Sequence, residues 1–230
     1  MARHIGVVAC SAEGAALCYR TIALEGLSAM GEHDHPEVTL NSIPMARHMD
    51  RIRRGDWDGV ADLLLDSARK VAAAGADFAI CPDNTVHQAF GRLIPRSPIP
   101  FLHIARVVGE EARRRGFARV GILGTKYLME GSVYPEALEP LGIRWEIPPA
   151  DARARIDRTI FEELVNAVFT DDARAMFSGE IGSLRDRGCD AVALACTEIP
   201  LIVDRETAPL PTLDSTRLLA RAAVRRALEP

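Results

Sequence analysis

Short apolar runs alternate along this chain with longer stretches in which apolar side chains recur every three or four positions. The runs at 4–10 (HIGVVAC), 38–43 (VTLNSI), 77–81 (DFAIC), 119–125 (RVGILGT), 143–147 (IRWEI) and 190–196 (DAVALAC) read as strands. Helical spacing fills 13–24, 57–75 and 214–228, and two more helices fall between 147 and 190. The helix at 57–75 is closed by Gly75, and the last one opens on an Asp-Ser-Thr capping cluster. Strands that are apolar on both faces and separated by helices predict an α/β protein with mainly parallel sheets.

The pattern also repeats itself. IGVVAC (5–10) aligns with VGILGT (120–125) at an offset of 115, and GADFAICPDNT (75–85) aligns with GCDAVALACTE (188–198) at an offset of 113. In that register Asp83 falls opposite Cys196, Asn84 opposite Thr197, and Thr85 opposite Glu198. The expectation is two pseudo-symmetric α/β lobes: residues 1–103 completed by 211–230, and residues 104–210. Ligands of open α/β sheets sit beyond the carboxyl ends of the strands. The polar strand ends here are CSAEG (10–14), PDNT (82–85), GTK (124–126) and ACTE (195–198). Two facing lobes would gather these ends around one interlobe cleft, with Asp83 on one wall and Cys196 on the other. One ionisable group on each side suits removing a proton from one face of a carbon and returning it to the other.

Composition narrows the class. The 230 residues, 48% of them hydrophobic, suffice for one large core or two small ones. A net charge of −4 with interspersed acids and arginines argues against a nucleic-acid partner. No run approaches the length of a membrane span, and no three-part signal peptide is present. Five cysteines without a C-x-x-C pair read as free thiols in a reducing compartment, so a cytoplasmic protein is expected. Lys70 and Lys126 are the only lysines. Pyridoxal phosphate needs a Schiff-base lysine, and only Lys126, just after a strand end, has a suitable place, so no cofactor is expected. His33 and His35 in EHDHPE lack two further ligands nearby, so no metal is expected either.

Within the four strand ends, Cys196 opens CTEIP before an expected helix start, where backbone N–H groups would lower a thiol pKa. Cys10, Cys18 and Cys189 fit a buried apolar role better. Asp83 is a base in water, and burial or a nearby thiolate would let it also return a proton; an Asx-turn or helix cap is its other natural role. Asn84, Thr85, Thr125 and Thr197 are short hydrogen-bonding groups that can cradle an α-carboxylate and the enediolate formed from it. Ser11 and Glu13 complete the rim, with Glu13 a candidate partner for a substrate ammonium. Glu198 is placed to orient Thr197 or the thiol. His87 suits a capping or core role as well as a catalytic one.

These motifs together resemble the aspartate/glutamate racemase family, which is related to hydantoin racemase, over nearly the whole chain. CPDNTVH (81–87) is similar to the family's first strand-end motif, and ACTEIPL (195–201) to its second. GILGT (121–125) resembles its central Gly-Thr turn, and ACSAEGAALCYRTI (9–22) its opening loop and helix. The resemblance implies two pseudo-symmetric α/β lobes, a homodimer, and racemisation without metal or pyridoxal phosphate by two facing thiols. It implies an amino acid or related carboxylate as substrate, and Arg47 lies where the family has a loop that can carry an arginine for a side-chain carboxylate. The chain departs from the pattern because Asp83 stands at the first thiol, with Cys81 two residues earlier as a substitute candidate. The reading is an amino-acid racemase or epimerase with Asp83 and Cys196 as the two bases. A single-cysteine decarboxylase or lyase, and a non-catalytic amino-acid-binding relative, are the alternatives.

Overall fold

Each apolar run condenses into the element that its period predicts, with shorter ends. In the computed structural model, which describes residues 2–229, the first half runs β1 (Ile5–Ala9), α1 (Ala12–Met30), β2 (Val38–Ser42), α2 (Met45–Arg53), α3 (Trp57–Ala73), β3 (Phe78–Ile80), a 3₁₀ helix (Thr85–Ala89), α4 (Phe90–Leu93), β4 (Phe101–Leu102) and α5 (Ile104–Arg114). The second runs β5 (Arg119–Leu123), α6 (Lys126–Met129), α7 (Val133–Leu138), β6 (Arg144–Glu146), α8 (Ala150–Glu162), α9 (Asp171–Asp186), β7 (Ala191–Leu194), a 3₁₀ helix (Ile199–Leu201), β8 (Thr212–Asp214) and α10 (Ser215–Leu228).

Two parallel four-stranded sheets result, with orders β2-β1-β3-β4 and β6-β5-β7-β8. The chain divides into two compact units that hold one sheet each, Met1–Ile104 with Thr216–Pro230, and Ala105–Ser215. Each sheet is covered by helices, and its central strands are almost wholly buried, as a parallel sheet requires. Two strands that the hydrophobic pattern does not predict, β4 and β8, are the fourth strand of each sheet.

The register of the two sheets follows the sequence repeat. Ile5 pairs with Phe78 in the first, and Val120 pairs with Ala191 in the second. The repeat reaches the edge as well, because Ala79 pairs with Phe101 and Val192 with Thr212. Local chemistry explains why both halves fold alike. Gly75 and Gly188 take positive φ values of 99° and 85°, where the left-handed region favours glycine, and they turn the chain out of α3 and α9. The aspartate two residues later then ties the next strand to its neighbour. Asp77 accepts the His4 N–H at 2.7 Å, and Asp190 accepts those of Ala118 and Arg119 at 2.7 and 3.1 Å. Gly6 and Gly121 let the covering helices approach, since a Cβ there would lie 2.7 Å from Val71 and from Leu184, respectively.

Candidate active site

The polar motifs lie where the buried strands run out, in each unit separately. In the first unit β1 ends at Cys10 and Ser11, and β3 ends at Cys81, Asp83, Asn84 and Thr85. Ser11 caps α1 by accepting the Gly14 N–H at 3.3 Å. Asp83 is half-buried, and its Oδ1 accepts the Val86 N–H at 3.3 Å, so it caps the following 3₁₀ turn. Asn84 and Thr85 are buried beside it. Glu13, in the first turn of α1, is half-buried. A 3₁₀ segment (Thr85–Ala89) follows Asp83, and His87 belongs to that segment. Its Nε2–H donates to the Cys81 carbonyl at 3.2 Å, and its ring stacks on Phe90 at 3.7 Å and edges against His103 at 4.5 Å.

Burial, and then the nearby His103, push the His87 pKa well below the ordinary histidine range. A neutral imidazole at neutral pH makes His87 a core group of this strand end rather than a proton donor. The stability consequence has a definite sign. The unfolded chain protonates this histidine below pH ~6.5 and the folded one does not, so stability is full above that value and falls as pH drops through it, by about 1.4 kcal/mol per pH unit. Chemical unfolding of wild type and His87→Phe between pH 7 and pH 5 should therefore show a shallower loss in the variant. Equal slopes would contradict a buried neutral His87.

His48 stands outside the sequence repeat, and Cys10 ends its first segment. Helix α2 turns His48 and Ile52 inward and leaves Arg47 exposed at the surface. Cys10 is buried against Cys81, Asp83 and His48. Hydrogen bonding with Cys81, then burial, then the charges of Cys81 and Asp83 push its thiol well above the ordinary cysteine range, and a hydrogen bond with the His48 side chain pulls it partly back. The i, i+4 spacing of His48 and Ile52 was the available clue, because it places them on one helix face.

In the second unit the strand ends of β5 and β7 meet closely. Thr125 caps α6 through the Leu128 N–H at 3.3 Å. Gly124 precedes it because a Cβ would lie 2.9 Å from the Ala195 carbonyl and 2.7 Å from Leu128. Gly124→Ala should therefore displace the turn that carries Cys196, and lower stability by about 1–3 kcal/mol with a larger loss of activity. Thermal unfolding and turnover of the variant check this, and wild-type values would show that the approach is not tight. Cys196 is 8% exposed, the most of the five thiols. Its Sγ–H donates to Glu198 Oε2 at 3.0 Å, and the Thr197 hydroxyl donates to the same oxygen at 3.0 Å. Glu198 is buried, and its Oε1 has no hydrogen-bond partner. A single 3₁₀ turn, not the expected helix, follows it, so no multi-turn dipole acts on the thiol. The carboxylate is instead the group positioned to take the thiol proton.

The remaining candidates are peripheral. Lys126 is exposed, with its ammonium over the Tyr127 ring at 5.1 Å. His33 is exposed, and the His35 ring pairs with the Pro36 carbonyl at 2.8 Å. Among the described residues, no group of three or more His, Cys, Asp or Glu side chains could hold a metal ion. No helix of the described residues is long and apolar enough to cross a membrane.

Comparison with known proteins gives the family. The model of the Asp/Glu/hydantoin racemase family matches residues 5–223. The chain is 23% identical over 196 residues to the broad specificity amino-acid racemase RacX of Bacillus subtilis (strain 168), covering 85% of this chain and 84% of that protein. Among solved structures it is similar to one from Yersinia pestis, itself provisionally assigned as an Asp/Glu racemase, with a TM-score of 0.89, 29% identity and coverage of 99% of this chain and 100% of that one. An aspartate racemase homologue from Pyrococcus horikoshii OT3 has a TM-score of 0.85 at 26% identity, with both chains fully covered.

Proposed function

Because the chain belongs to the Asp/Glu/hydantoin racemase family, we propose that it is a cofactor-independent amino-acid racemase or epimerase that uses Asp83 and Cys196 on opposite faces of the α-carbon. The observation that carries this reading is the shared register of the two sheets, which makes Asp83 and Cys196 equivalent strand-end positions. The similarity to a protein named as a broad specificity amino-acid racemase supports the reaction class. A cytoplasmic location and a homodimer belong to the same reading.

The Glu198 carboxylate takes the Cys196 proton, across the 3.0 Å hydrogen bond, and leaves a thiolate. The thiolate removes the α-proton of one enantiomer. Protonated Asp83 delivers a proton to the other face, and the reverse reaction exchanges the roles. Asn84, Thr85, Thr125, Thr197 and Ser11 supply hydroxyl, amide and backbone donors for the α-carboxylate and the enediolate, and Glu13 faces the ammonium. In each turnover one α-hydrogen leaves and one arrives, so the chemistry needs no electron acceptor.

A second reading rests on the capping bond from the Val86 N–H to Asp83. If that bond is all Asp83 does, Cys196 is the sole acid, and the enzyme decarboxylates or eliminates, protonating the enediolate from one side. Incubation of each amino-acid enantiomer in D₂O separates these readings. A racemase yields the opposite enantiomer with deuterium at Cα, a decarboxylase consumes its substrate, and a binding protein does neither. Failure of every amino acid to invert would sink the racemase reading.

A further inference from the structure

Within the second unit, the loop that follows Glu198 and helix α9 together line a cavity of about 340 Å³. That volume falls among those of small-molecule sites, about 300–1,000 Å³. Its apolar lining comes from Ile181, Ile202 and Val203, and its polar groups include Arg174, Ser178 and Asp204. Arg174 Nη1–H donates to the Ile202 carbonyl at 3.1 Å, which fixes the guanidinium to the loop, and its Nε faces the exposed Asp171 at 3.7 Å. A guanidinium has five N–H donors in a planar fork, so this one can still bind a carboxylate. Asp204 Oδ1 accepts the Glu206 N–H at 2.9 Å, and the second oxygen of that carboxylate can accept from a cation.

One guanidinium, one carboxylate and an apolar lining match the zwitterion of an α-amino acid with an aliphatic side chain. The loop wall is also bonded to the candidate active site. The Val203 and Ile202 N–H groups donate to the Ile199 carbonyl at 3.0 and 3.1 Å, and the Ile199 N–H donates to the Cys196 carbonyl at 3.2 Å. Ile199 itself is wholly buried, so this path is part of the packed interior. We propose that the cavity is a second amino-acid site, which takes a free aliphatic amino acid such as leucine, isoleucine or valine and steadies the Cys196 turn when filled. The ligand carboxylate meets Arg174 and the Ser178 hydroxyl, the ammonium meets Asp204, and the side chain lies against Ile181 and Ile202. None of the residues assigned to inversion lines the cavity, so the site does not rest on the racemase reading. Cys196 is 8% exposed, and its full reaction with a reagent needs local opening of the turn. A ligand that holds Ile202 and Val203 in place slows that opening.

Calorimetric titration of the whole protein with L-leucine, isocaproate and isopentylamine tests the site without turnover. Leucine should bind with a Kd below about 1 mM, and the two analogues, which lack the ammonium or the carboxylate, about tenfold or more weakly. Ser178→Trp fills the cavity and leaves the bond from Arg174 to Ile202 in place, whereas Arg174→Gln removes the charge. Each should weaken leucine by about tenfold or more while melting within about 3 °C of wild type. Saturating leucine should also slow iodoacetamide alkylation of Cys196 by about threefold or more in wild type, and not in Ser178→Trp. No leucine binding, equal affinity for isocaproate, or undiminished affinity in both variants overturns the proposal. So does alkylation of Cys196 that leucine leaves unchanged, or protection that persists in Ser178→Trp, which would put leucine at Cys196 itself. A protein that binds leucine in this way and inverts no amino acid loses the racemase reading and keeps this site.

Discussion

Cys196→Ser should lose at least ~10³-fold in turnover while its melting temperature stays close to that of wild type. The swap is nearly isosteric, and a serine hydroxyl can keep the 3.0 Å bond to Glu198, so packing and the local hydrogen bond survive. What goes is acidity: a serine hydroxyl is a far weaker acid than a thiol, so it cannot supply a comparable base at neutral pH. Iodoacetamide offers a second view. Cys196 is the most exposed of five buried thiols, so it should be alkylated first, and bound substrate should protect it. Cys10 should react slowly, because its neighbours and burial keep it protonated. An active serine variant, or uniform labelling of all five thiols, would return Cys196 to the role of a packed side chain.

The Asp83 variant carries the second large effect. In Asp83→Asn the amide oxygen can still accept the Val86 N–H, so the substitution leaves the 3₁₀ cap in place and removes only the ionisable group. Racemisation should then fall by about 10²–10⁴-fold, the usual contribution of a positioned general acid–base group. Cys196 should nevertheless go on exchanging the α-hydrogen of the one enantiomer presented to it. Asp83→Cys should restore inversion and make the two directions more alike, because both bases would then be thiols. In wild type a carboxyl group opposes a thiol, so kcat and KM should differ between directions, although kcat/KM for simple enantiomers must be equal. Wild-type inversion by Asp83→Asn would leave Asp83 a cap alone and make Cys81 the next candidate.

Among the described residues, six of the eight strands were legible because each is a fully or partly buried run bounded by turn residues. The two that were not, β4 and β8, are two and three residues long. A run that short has no period to read, and each follows a Pro-x-Pro segment that suggests a loop. Their sequences, SPIPFLH and APLPTLD, extend the internal repeat, so comparison of the halves held the signal that periodicity lacked. The strand-end residues were visible for a related reason. Polar side chains that cluster directly after a buried run of an α/β sheet stand at its carboxyl edge, where such sheets bind their ligands.

Geometry around those residues was less visible. Where a helix dipole is expected after Cys196, the chain forms a short 3₁₀ segment, because Pro200 sits in a tight turn that does not continue. Glu198 thereby becomes the partner of the thiol, a contact between residues two apart that depends on the turn and not on any spacing rule. The family resemblance implies a loop bearing Arg47 where α2 stands. The inward face of that helix is His48 and Ile52, and nine residues of mostly polar sequence carry little periodicity by which to orient it.

The central claim is that two different groups act on the two faces of one carbon, and early-time labelling tests it most directly. A single enantiomer of an accepted amino acid is incubated with enzyme in D₂O, and both enantiomers are analysed by mass spectrometry below about 10% conversion. Two bases predict that the newly formed enantiomer is deuterated at Cα from the first turnovers while the remaining substrate keeps its hydrogen. Deuterium appearing in the remaining substrate without inversion, or protium carried across into the product, would contradict the assignment of Asp83 and Cys196 to opposite faces.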